Sequence, residues 1–239
     1  MKILVFAPHN DDEVLGVGGT IAKYAHDGHE VYVCEATSLL ANPELVEKIK
    51  SEAITSHEIL GVKETIFLEI PVVAIKDTPT IQVNAKFEEV VRKIKPNVAF
   101  VPHKGDVHID HAEVAKAAMV ALRPIENPQL SEVYAYETLS ETEWNTPTVD
   151  NAFIPNCFSD ISDFIDFKLK AMSCFETQVK KFPHPRSLEA LEALSKLRGS
   201  TVCLNSINQF LIFCISQINL PWIHLECTSI IRAIHILRS

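Results

Sequence analysis

Ile3-Leu4-Val5-Phe6-Ala7-Pro8-His9-Asn10-Asp11-Asp12-Glu13 decides how the rest of the chain is read. Ile3 to Ala7 is an apolar run too short for a signal peptide and without a small-residue cleavage site, so it reads as a buried first strand. Pro8 ends the run, and a helix-like stretch follows from about Asp12 to Asp27, closed by Gly28. Outward from this unit the alternation continues. Glu30 to Ala36 alternates like a strand, Pro43 to Leu60 reads as a helix ended by Gly61, and Thr65 to Ile70 as a third strand. Lys86 to Ile94 is helical, Pro96 stops it, and Asn97 to Val101 is a fourth strand. Asp110 to Leu122 is again helical and Glu132 to Tyr136 again a strand. Strands separated by helices imply right-handed βαβ units, hence an α/β fold with a mostly parallel sheet and helices on both faces.

Beyond Asn145 the pattern loosens. Thr146 to Pro155 reads as a connector, Ser159 to Cys174 as helical, and Phe182-Pro183-His184-Pro185-Arg186 as a rigid loop. Ser187 then suits an N-cap for a helix running to Leu197. From Cys203 onward only Glu226, Arg232 and Arg238 carry charge, and Leu204 to Leu225 carries none. Asn205, Asn208, Gln209, Gln217, Asn219 and Pro221 argue against a membrane span there, because polar amides are costly in hydrocarbon. The expectation is a main domain over residues 1–202 and an atypical apolar C-terminal tail over 203–239, buried or facing another subunit, so that a homo-oligomer is an open expectation.

The 239 residues are enough for one sizeable domain, and 47% hydrophobic with 22% charged residues is the composition of a globular protein. A formal net charge of −9 excludes a phosphate-backbone partner, so no nucleic acid is expected. The six cysteines form no CxxC pair, which leaves reduced thiols in a cytoplasmic protein as the expected state.

Chemistry concentrates in two segments. One is His9 to Glu13, after the first strand; the other is Pro102-His103-Lys104-Gly105-Asp106-Val107-His108-Ile109-Asp110-His111, after the fourth. Both fall at the carboxyl edge of the sheet, where ligands bind in open α/β folds. A catalytic zinc site wants three nitrogen or oxygen ligands and an open position, which His9, Asp12 and His111 can supply. Asp11 and His108 remain uncommitted, and hydrolysis needs such groups: a carboxylate as general base and an imidazole at the oxyanion. Asp110 can orient an imidazole from behind. The competing reading makes Asp11 or Asp12 a helix cap. Gly16, Gly18 and Gly19 do not match a dinucleotide fingerprint, since Ile21 stands where the third glycine is needed; they suit close helix–sheet packing instead. His26, His29, His57, His224 and His235 read as structural or exposed.

With His9 to Glu13 and His108 to His111 the chain resembles the PIG-L/LmbE-like family of zinc-dependent N-deacetylases, from about residue 2 to residue 202. The resemblance implies a Rossmann-like fold, zinc on His9, Asp12 and His111, Asp11 as general base and His108 stabilising the tetrahedral intermediate. It also implies a small-molecule partner, an N-acetyl sugar conjugate of the N-acetylglucosamine type, with His184 and Arg186 as candidate substrate contacts. Two His and one carboxylate suit Fe(II) as well as Zn(II). Asn10 replaces the family's usual proline at a turn that asparagine tolerates. The tail departs further, which raises the alternative of a metal-binding but catalytically impaired member acting as an interaction or scaffold protein.

Overall fold

A computed structural model of the chain describes residues 1–39, 42–214 and 235–237. β1 (Lys2–Ala7), α1 (Asp12–His26), β2 (Glu30–Ser38), α2 (Pro43–Leu60), β3 (Glu64–Pro71), α3 (Thr80–Ile94), β4 (Val98–Pro102), α4 (Ile109–Ala121) and β5 (Glu132–Tyr136) follow one another, with one short 3₁₀ turn at Ile75–Asp77. Their strands are parallel in the order β3-β2-β1-β4-β5. The chain continues through β6 (Cys157–Asp160), α5 (Ile165–Ser173), α6 (Leu188–Ser200), β7 (Ile207–Cys214) and β8 (His235–Leu237). β7 joins antiparallel to β5, β6 antiparallel to β7, and β8 parallel to β6.

β1 shows why its sequence is continuously apolar rather than alternating: both of its faces are covered. Ile3 and Val5 pack with buried residues of α1, α2, α5 and α6. Leu4 and Phe6 point the other way, into a core completed by Val83, Phe87 and Val91 of α3 and Val114 and Ala118 of α4. Local signals set the helix ends. The Asn42 side chain accepts the Glu44 N–H at 2.9 Å, Pro43 fills the first helical position, and Gly61 closes α2 at φ 75°, a left-handed angle that glycine adopts without strain. Gly16 lets α1 lie against the sheet, since a Cβ there would fall 2.2 Å from the Tyr136 ring.

Three expectations are corrected. α3 begins at Thr80 rather than Lys86, its buried stripe running Val83, Phe87, Val90, Val91, Ile94. Polar residues between Val83 and Phe87 hide the first turns of that stripe in the sequence. The stretch 159–174 is not all helix: β6 ends at Asp160 and α5 starts at Ile165. Pairing with β7 holds that short strand, which no local propensity announces. The third correction concerns the tail. β7 lies between β5 and β6, and Phe210 is fully buried against Phe100, so the main sheet extends past residue 202. Its amides have partners: Asn208 Oδ1 accepts from the Thr20 N–H and hydroxyl, and Gln209 donates to Glu137. The uncharged run beyond Cys214 lies outside the described residues. Among the described residues no helix is long and apolar enough to cross a membrane, and Cys34, Cys157, Cys174 and Cys203 are free thiols.

Candidate active site

β2 lies on one side of β1 and β4 on the other, so the chain reverses direction across the sheet between these two central strands. The loops leaving them diverge and open a crevice at their carboxyl ends. His9 leaves β1 into that crevice, and His108 and His111 reach it from the start of α4.

Asp12 is the centre of the cluster. Its Oδ2 accepts the His9 backbone N–H at 3.0 Å and lies 3.2 Å from His9 Nδ1 and 3.1 Å from His111 Nε2. Asp12 and His111 are fully buried, while the His9 side chain is 21% exposed at the crevice. Each imidazole has a second carboxylate on its far nitrogen. His111 Nδ1 lies 2.7 Å from Asp106 Oδ2, and Asp106 in turn accepts the Thr142 hydroxyl at 2.6 Å. His9 Nε2 lies 3.3 Å from Asp110 Oδ2, which accepts the Val73 N–H at 2.8 Å. Val73 holds that position at φ 65°, in the left-handed region that β-branched residues avoid, so backbone strain sits directly behind the site.

Burial alone would lower the pKa of His9, but Asp110 and Asp12 outweigh it and raise it to about 9. For His111 burial is likewise overcome by Asp12 and Asp106, to about 10. Burial works against the Asp12 carboxylate as well, yet His111 and His9 hold its pKa well below the usual range. The cluster thus attracts positive charge. Asp12 Oδ1 and His111 Nε2 are buried with no hydrogen-bond partner, and ligand atoms of His9, Asp12 and His111 lie within 4.8 Å of one another. A divalent cation among them would give both atoms a partner, at the two-imidazole, one-carboxylate set of catalytic zinc. His9, His108 and Asp110 form an overlapping group of the same compactness. That group fits less well, because it leaves one buried atom without a hydrogen-bond partner, Asp110 Oδ1, where the first leaves two, and backbone N–H groups occupy His108 Nδ1 and Asp110 Oδ2.

The helix-cap reading of Asp11 fails: it stands at the N-cap of α1 without a side-chain capping bond. Its Oδ2 instead accepts from Arg186 Nη1 at 3.0 Å. Burial raises the Asp11 pKa and Arg186 lowers it, with a net value of about 7. Arg186 is held on four sides, donating also to Ser140 Oγ, Gln178 Oε1 and Glu141 Oε1. His108 caps α4, its Nδ1 accepting the Asp110 N–H at 3.2 Å, so the neutral ring carries its proton on Nε2. Burial and the neighbouring His9 lower its pKa and favour that neutral form.

A cavity of about 240 Å³ opens on this constellation, with His9, Asp11, His108, Glu141 and Arg186 among its lining. The structure therefore brings together His9, Asp11, Asp12, His108, Asp110, His111 and Arg186. His184 is outside the cavity lining: its Nδ1 accepts the Arg186 N–H, and its ring meets Trp144 edge-on. Sequence reasoning missed Asp106 and Glu141. Asp106 stood inside the quoted second segment, five residues before His111, a spacing that brings it back onto that ring across the turn entering α4. Also missed was a buried trio, Glu13, Glu35 and His57, with His57 Nε2 at 3.0 Å from Glu13 Oε1. It joins one helix, a strand and another helix, which no local pattern signals.

Residues 4–122 match the family model described as GlcNAc-PI de-N-acetylase, PIG-L. Diacetylchitobiose deacetylase of Thermococcus kodakarensis is 26% identical over 188 residues, covering 74% of this chain and 70% of that protein. The Bacillus cereus protein named "Probable N-acetyl-alpha-D-glucosaminyl L-malate deacetylase 2" is 27% identical over 193 residues, covering 74% and 84%. In fold, N,N′-diacetylchitobiose deacetylase from Pyrococcus horikoshii superposes with a TM-score of 0.70 at 23% identity, over 89% of this chain and 84% of that one. Two motif-bearing strand ends meet at the switch point of a parallel sheet, within the stretch that the family model matches, and this chain belongs to the PIG-L/LmbE-like family.

Proposed function

We propose that this protein is a metal-dependent amide hydrolase that removes the acetyl group from an N-acetylglucosamine-type or related N-acetyl sugar conjugate. The observation that carries the proposal is the pair of buried atoms without a hydrogen bond, Asp12 Oδ1 and His111 Nε2, beside a cavity lined by Asp11 and His108. His9, Asp12 and His111 would hold the metal; zinc suits the donor set, and Fe(II) shares it. When bound, such an ion supplies Lewis acidity and an acidified water.

The remaining steps belong to the chain. Asp11, held near neutrality by burial against Arg186, takes the proton of the attacking water and passes it to the departing sugar amine. Arg186, fixed by Glu141, Ser140 and Gln178, keeps that carboxylate in place. His108 directs its Nε2–H at the oxygen that gains charge as the amide carbon becomes tetrahedral. Asp106 and Asp110 lock the two ligand imidazoles from behind. The two relatives named above are deacetylases of N-acetyl sugars, which supports the same bond as the target.

Elemental analysis and acetate release, measured on the same samples of wild type and His111→Ala, test the reading. Near-stoichiometric metal and turnover of a simple N-acetylglucosaminide are expected in wild type, with both lost in the variant by about a thousandfold in rate. Metal without turnover in wild type would refute the hydrolase and favour a metal-binding interaction protein.

A further inference from the structure

The cavity has two unlike ends. One carries the reacting groups. The other is a wall of five apolar side chains: Leu39 at the end of β2, Val46 and Ile49 on α2, Phe67 on β3 and Val72 just beyond it. All five are partly exposed. Apolar area on a cavity wall is covered by water in the free protein, and a ligand that covers it instead gains the free energy of removing it. At about 240 Å³ the cavity lies below the roughly 300–1,000 Å³ of drug-sized pockets, room for one sugar and a short substituent.

Charge narrows the substituent further. Lys50 and Arg186 are the lysine and arginine of the described lining. Arg186 already faces Asp11 and Glu141. Lys50 is paired with Glu69 and lies over the Phe67 ring at 5.5 Å from its centroid. A carboxylate or phosphate on the substrate would therefore meet no free cation among the described residues at this end, and it would have to displace Glu69 to reach one. An alkyl or aryl group meets no such cost.

We propose that this wall is an aglycone subsite that selects N-acetyl sugar conjugates bearing an uncharged, apolar substituent over those bearing an anionic one. For the sugar, the inference rests on the deacetylase reading; the wall and its charge balance belong to the cavity itself. Calorimetric binding and acetate release are measured on the metal-loaded enzyme with three probes: methyl, hexyl and malyl N-acetylglucosaminides. The hexyl conjugate is expected to bind about tenfold or more tightly than the methyl conjugate, and the malyl conjugate no more tightly than methyl. Ile49→Ser and, separately, Val46→Ser should bring the hexyl-to-methyl affinity ratio down toward one. Equal affinity for hexyl and methyl, tighter binding of the malyl conjugate, or no binding of any probe overturns the subsite. A hexyl preference without hydrolysis of any probe would leave the subsite standing and sink the deacetylase. Hydrolysis of all three with no hexyl preference does the reverse.

Discussion

Asp12 and Glu13 are neighbours in the first turn of α1, yet each anchors a different buried acid–imidazole cluster. Asp12 gathers His9 and His111; Glu13 faces His57 and Glu35. Both sets place ligand atoms within 4.8 Å of one another. They differ in what stands behind the histidines and in what lies in front. Each imidazole of the first cluster is held from behind by a carboxylate, Asp110 or Asp106, so a ligand nitrogen faces Asp12, and His9 of this cluster lines an open cavity. His57 is held by the neutral Thr65 hydroxyl at 2.7 Å, and none of Glu13, Glu35 or His57 lines that cavity. The lesson is that donor type and compactness do not make a reactive centre. A path for substrate and a charged support behind each ligand do.

Replacing the base tests the reactive side most severely. Asp11→Asn should keep the metal and lose about 10²–10⁴-fold in kcat, because the ligands remain and the proton acceptor does not. In the proposed role Asp11 acts as the carboxylate, so wild-type kcat/KM should rise with pH through about 7 and then level, an acid limb absent from the residual activity of the variant. A pH profile unchanged by Asp11→Asn would reassign the base.

A smaller effect is expected from behind the ligands. Asp106→Asn keeps the shape and removes the charge facing His111 Nδ1, so metal affinity should fall about 10–100-fold in chelator competition. No change would mean that a neutral acceptor and packing orient the ring without the charge.

The smallest effect, and of opposite sign, is expected in the second cluster. Both Glu35 oxygens are buried with no hydrogen-bond partner, and burial, then Glu13, pushes its pKa well above the carboxylate range. A carboxyl whose folded pKa is raised costs stability as pH rises past its unfolded value and costs nothing below it. Glu35→Gln should therefore stabilise the fold at neutral pH by about 1–2 kcal/mol, read as a higher Tm, with the gain vanishing in acid. Metal content and kcat should stay near wild type. Loss of metal in Glu35→Gln would break the comparison and make the second cluster part of the reactive centre.

What the sequence determined by itself was local and periodic. An apolar run, a helix with acidic residues in its first turn and glycines at the stops are properties of consecutive residues, and they were enough to give β1 to β5 and the parallel sheet. They also placed His9, Asp12, His108 and His111 at strand ends that share an edge. Tertiary structure decided what depends on residues far apart in the chain. The pairing of Arg186 with Asp11 spans 175 positions, and the Gln209 contact with Glu137 spans 72. Neither leaves a mark in local pattern. The same holds for β7, whose uncharged sequence reads as part of a buried or subunit-facing tail and whose hydrogen bonds to β5 and β6 give it a place in the main sheet. An apolar run states that it must be buried; only the neighbours that fold brings to it decide where.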